Sequence, residues 1–195
     1  ASSVVTYTRG DDLFYKNFDP QLDLAEADLR VAQKDYRAAI HPLESYLMAK
    51  KVIKKKHLRV RPLFVLAQCY AATGDNTKAI DNYKKVLKSH PNYDMEFYAK
   101  IKMAKLARGN TNNNAEIRSL LAKMAKDGKY KEYWDQVYYE LALISISENN
   151  RAEARKFLHE SVDNSTSNDD QKALSFLKLA ELDYEDENYI VSKFF

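Results

Sequence analysis

The sequence predicts an all-α protein, a right-handed α-solenoid of about five antiparallel helix pairs with the last one truncated. Three observations carry this. Only four Gly and four Pro occur in 195 residues, too few for a turn-rich β-sandwich, whereas a chain that is 45% hydrophobic and 30% charged and rich in Ala, Leu and Lys suits helices. Apolar residues recur at i, i+3, i+4 and i+7 in successive segments. A small residue recurs at 27, 67, 104, 142 and 180, with separations of 40, 37, 38 and 38, as expected when one structural unit repeats.

Taken in order, residues 1–19 fit no repeat and are expected to form a lead-in, partly helical, before an array over 20–195. Helix pairs are expected near 20–33/36–49, 58–73/76–89, 93–108/114–127, 130–148/151–163 and 170–185/187–195. They define units near 20–53, 60–93, 94–127, 130–168 and 170–195. The first pair carries Ala27, Tyr36, Ala39 and Leu43. The second is the most complete: Leu63, Leu66-Ala67, Tyr70, Gly74-Asp75, Ala79-Ile80, Tyr83, Leu87 and Pro91. Here Gly74 stops one helix, Asp75 caps the next and Pro91 ends it. The third pair keeps Ala104 but turns through "GNTNNNAE", a run of Asn caps, and its second helix lacks the aromatic. The fourth places Ala142 before Ala154 and Leu158. The fifth places Ala180 before Tyr189 and stops in the apolar "YIVSKFF", which predicts a parent chain that continues.

The spacing over 60–93 resembles the tetratricopeptide repeat (TPR), a helix–turn–helix of about 34 residues, and implies a TPR-type right-handed solenoid. Two further stretches, "RPLFVLAQCYAATGDNTKAIDNYKKVLKSHPNYDMEFYAKIKMA" and "KEYWDQVYYELA" leading into "STSNDDQKALSFLKLAEL", resemble the TPR region of the PorW/SprE lipoproteins of Bacteroidetes over about 60–190. That resemblance implies a non-enzymatic scaffold of the type IX secretion and gliding machinery. It would be lipid-anchored at the outer membrane, face the periplasm and link ring or motor parts to the translocon. The lipid-bearing Cys would lie upstream, since Cys69 is mid-helix. The alternatives are a generic peptide-binding TPR adaptor or co-chaperone in the cytoplasm, and an enzyme whose catalytic part lies outside this region.

No catalytic, metal or cofactor site is expected. One Cys excludes an internal disulfide, and Cys69, between Ala67 and Tyr70, reads as a small packed hydrophobe rather than a thiolate nucleophile. His41, His57, His90 and His159 fall at different points of different repeats and match no ligand spacing. Four glycines leave no phosphate loop. The apolar runs are too short to span a bilayer.

A net charge of +3 is too mild to argue for nucleic acid. Its distribution is polar, with 20 Lys/Arg against 12 Asp/Glu (+8) over 1–110 and 11 against 16 (−5) over 111–195. Partners are expected to be other proteins, namely secretion components or peptide segments, with membrane attachment only through an upstream lipid. Counting from each motif Ala, the concave face should present Phe64 and Gln68, Ile101 and Lys105, Tyr139 and Leu143, and Leu177 and Glu181, a groove for an extended or helical segment. Gln68 and Lys105 occupy the Asn positions of the carboxylate clamp used by chaperone-tail-binding TPRs, so that clamp is not expected. A basic patch of Lys54, Lys55, Lys56, Arg59 and Arg61 is either a contact for an acidic partner or anionic head groups, or a solvated extension of two helix ends.

Overall fold

A computed structural model describes residues 19–107 and 111–192. Of the expected lead-in over 1–19, residues 1–18 lie outside the described residues and Asp19 begins the first helix; residues 108–110 and 193–195 also lie outside them. Every regular element among the described residues is helical, and none of these helices is long and apolar enough to cross a membrane. The chain divides into two compact units, 1–106 and 107–195.

The first unit contains α1 (Asp19–Ala32), α2 (Tyr36–Met48), the one-turn α3 (Lys50–Ile53), α4 (Lys56–Ala72), α5 (Asn76–Leu87) and α6 (Tyr93–Ala107). Helix α1 packs on α2, α2 on α4 and α4 on α5. Ala27, Ala39, Ala67 and Ala79 are fully buried in these helices, because only a side chain that ends at Cβ lets two backbones approach so closely. Leu43, Leu63, Leu66 and Tyr83 are likewise withdrawn from solvent.

The turns inside the pairs share one geometry. Lys34 (φ 60), Gly74 (φ 85) and Asn149 (φ 59) adopt the left-handed conformation. The next residue in each case, Asp35, Asp75 or Asn150, caps the following helix by accepting from the backbone N–H of Ala38, Lys78 or Glu153. The same residues donate their own N–H to the carbonyls of Arg30, Tyr70 and Ser145, closing the preceding helix. The Gly-Asp signal was legible at one turn, and two non-glycine turns reproduce its backbone.

The second unit contains α7 (Thr111–Met124), a 3-10 turn (Gly128–Tyr133), α8 (Trp134–Ser147), α9 (Arg151–Asn164) and α10 (Asp169–Ser192). The Trp134 indole donates to the Met124 carbonyl at 3.1 Å and so satisfies the end of α7. Ala142, Ala154, Leu158, Leu179 and Leu182 form the apolar core of the α8–α9–α10 packing.

Two expectations are corrected here. The expected pair at 170–185/187–195 is replaced by the continuous α10, because "DYEDEN" contains no Gly or Pro and Asp183, Glu185 and Asp186 are neutralised from α9. Arg151 pairs with Glu185 and Asp186, and Arg155 with Asp183 and Asp186. Ala180 does not sit at a crossing. It is exposed, while Gln171, Ser175, Leu179 and Leu182 form the buried stripe of α10.

Candidate functional site

In the first unit a cleft of about 340 Å³ opens between α1, α4 and α6. Its apolar wall comes from Val31 of α1 and Val65, Cys69 and Ala72 of α4, and Gln68 and Lys102 stand exposed among the lining residues. Helix α4 supplies most of this lining because residues 65, 68, 69 and 72 fall on one helical face. Tyr36, at the start of α2, adds an aromatic. An apolar cleft with a carboxamide and an ammonium among its lining groups fits an apolar side chain from a protein segment, with hydrogen bonding at the edge.

Burial pushes the Cys69 thiol up to about 11, so it is protonated at neutral pH, and Cys69 is only 1% exposed. Burial also raises the Tyr83 phenol well above its ordinary value. Among the described residues no group of His, Cys, Asp and Glu side chains could hold a metal ion. His41, His57 and His159 are exposed on separate helices, and His90 is exposed in the connection between α5 and α6.

The predicted groove residues are placed as follows. Gln68 lines the cleft. Phe64 is half-buried and packs edge-on against Tyr83, with centroids 5.3 Å apart. Ile101 is buried in the core at 4% exposure, which corrects its assignment to a groove wall: α6 also buries Phe97, Ala99, Met103 and Ala104, so Lys102 lines the cleft instead. Lys105 is exposed. In the second unit Tyr139 is partly buried against the Ala142–Leu182 core and Leu143 is half-buried. Leu177 is 57% exposed, and the exposed Glu181 is ion-paired to Lys178. Lys102 and Tyr36 were missed because a single offset from each motif Ala ignores that α6 is buried on two faces. The exposed Lys at every third position, 102 and 105, was the available signal.

The predicted basic residues lie at the corner made by α2, α3 and α4. Lys54, Lys55, Lys56 and Arg61 are exposed, and Arg59 is half-buried. Arg59 borders a second cleft of about 390 Å³ together with Met48, Leu63 and Tyr70.

The tetratricopeptide repeat family profile matches residues 63–93. A search of the curated proteins gives no match. Solved structures are similar over most of the chain. "MamA 41-end from Desulfovibrio magneticus RS-1" superimposes with a TM-score of 0.60 at 17% identity, covering 86% of this chain and 97% of that one. "MamA RS-1 ArsTM double mutant" gives 0.59 at 16% identity, covering 88% and 98%. The second helix pair matches the tetratricopeptide repeat profile, and the chain has the TPR-type all-α solenoid fold of helix pairs seen in these structures.

Proposed function

We propose that the α1–α4–α6 cleft is the recognition site of a non-enzymatic scaffold. It takes one apolar anchor of a partner segment while Gln68 and Lys102 hold the backbone or a carboxylate beside it. The observation that carries this reading is an apolar cleft with a polar edge on the face of a TPR-type fold that lines a concave surface in this class of repeat. The finer role is that of a type IX secretion component, periplasm-facing and held at the outer membrane by a lipid upstream of Ala1, linking ring or motor parts to the translocon. It is supported by the PorW/SprE-like sequence over about 60–190.

The test is site-specific photocrosslinking from Gln68 in a Bacteroidetes envelope, repeated with Val65→Trp to fill the cleft. Secretion-ring or translocon components should crosslink, and the bulky variant should abolish the adducts. Adducts to cytoplasmic chaperones alone would favour the adaptor reading, and adducts unaffected by Val65→Trp would place recognition elsewhere.

A further inference from the structure

We propose that the basic corner between α2 and α4 docks the protein directly onto an anionic membrane surface. Between Glu44 and Asp75 the chain contains no Asp or Glu, yet it carries seven Lys and Arg from Lys50 to Arg61. The five lysines at 50, 51, 54, 55 and 56 are all exposed. None of the seven basic side chains is held in an ion pair among the described residues, and the Arg59 Nε is buried without a hydrogen-bond partner. In contrast, Lys78 pairs with Asp75 and Lys178 with Glu181.

The corner also exposes apolar surface. Met48 is 77% and Ile53 48% exposed, although both are residue types that folding normally buries. Their exposure follows from the local fold. Val52, at 2% exposure, pins the four-residue α3 against the core, and α3 packs on both α2 and α4. A one-turn helix anchored by its third residue turns its fourth, Ile53, outward among the lysines. Met48 sits at the end of α2, where the chain turns into the same corner.

An anionic bilayer surface satisfies both features at once. Head groups attract the ammonium groups, and the acyl boundary accepts Met48 and Ile53 while the lysine stems lie along it. Lysine is a point charge on a flexible stem and suits a diffuse negative surface, whereas a fixed carboxylate pattern on a protein favours the arginine fork. An acidic protein surface would use the charge and leave the two apolar side chains without a role.

The test is flotation of the full chain with phosphatidylcholine vesicles that contain or lack about 30% phosphatidylserine, at about 0.1 M salt. The protein should float with the anionic vesicles only. Each cation near such a surface multiplies binding roughly fivefold, so the triple variant Lys54→Glu, Lys55→Glu, Lys56→Glu should lose binding by tenfold or more. Met48→Ser with Ile53→Ser leaves the charge unchanged and should weaken partitioning roughly fivefold or more. All five positions are exposed, so thermal melts should match the parent. Failure to float with the anionic vesicles overturns the proposal. So does flotation that the Met48/Ile53 variant leaves untouched, since the corner would then read charge alone, as an acidic protein would exploit it.

Discussion

Ser161 and Ser175, both fully buried, meet hydroxyl to hydroxyl at 2.8 Å across the crossing of α9 and α10. Ser161 Oγ also lies 2.6 Å from the Asp135 carbonyl oxygen and Ser175 Oγ 2.9 Å from the Gln171 carbonyl oxygen, so one hydroxyl donates across the crossing while the other accepts and gives its single proton to its carbonyl. The close approach of α10 therefore occurs at Ser175, about 140° around the helix from Ala180. Ser175→Leu should overpack this crossing, costing about 1–3 kcal/mol, while Ser161 keeps its bond to the Asp135 carbonyl. Ala180→Leu should stay within about 0.5 kcal/mol. Urea unfolding of both variants decides the matter, and a larger loss for Ala180→Leu would restore the spacing-based register.

That difference marks what the sequence could and could not reveal. Ala27, Ala67, Ala104 and Ala142 were legible as crossing residues because each stands in an apolar stripe whose phase matches the 3.6-residue period, and all four are fully buried. In α10 the sequence "FLKLAEL" imitates that stripe, but the contacts follow Gln171, Ser175, Leu179 and Leu182. The joint before α10 is fixed by polar groups: Ser165 and Asn168 donate to the Asp135 carboxylate at 3.2 and 3.0 Å. Hydrogen-bonded Ser, Asn and Asp side chains carry no periodic signal, so their geometry appears only after folding. The cleft was half legible for a related reason: Gln68 follows from the α4 face, whereas Lys102 depends on which faces of α6 are covered.

Ala67→Leu and Ala142→Leu test the crossings where sequence and structure agree. Each Ala is fully buried, so there is no room for three added carbons, and each variant should lose about 1–3 kcal/mol. Melting unchanged in both would mean that the helices can slide apart at these points.

The shared turn geometry makes a prediction with two signs. Lys34 and Gly74 hold left-handed φ values of 60° and 85°, and a Cβ placed on Gly74 would meet nothing within 4 Å. Gly74→Ala therefore carries only the conformational penalty, about 1–2 kcal/mol, partly offset by a less flexible unfolded chain. Lys34→Gly should stabilise by up to about 1 kcal/mol, because the exposed lysine makes no ion pair among the described residues. Asn149→Gly should be nearly neutral, since Asn tolerates this region. Paired thermal melts give the ordering, and a destabilising Lys34→Gly would contradict the strain argument.

Acid sensitivity should centre on the ion pairs between α9 and α10. Hydrogen bonds from Arg155 hold the Asp186 carboxyl below its ordinary 3.8, and a hydrogen bond from Arg118 holds Glu153 below 4.5. A carboxyl whose folded pKa lies below its unfolded value stabilises the fold above that unfolded value, and the contribution is lost as pH falls through the folded one. Stability should therefore be level above about pH 5 and fall from about pH 4 downward. Asp186→Asn removes one such group, so its melting temperature should fall less between pH 7 and pH 3 than that of the parent. Arg155 bridges Asp183 and Asp186, so Arg155→Ala should likewise flatten the acid limb. Both charge pairs are partly exposed, so 1 M salt should narrow the difference between variant and parent at neutral pH. An acid limb identical in parent and both variants would assign the sensitivity to other carboxylates, with Glu153→Gln the next to measure.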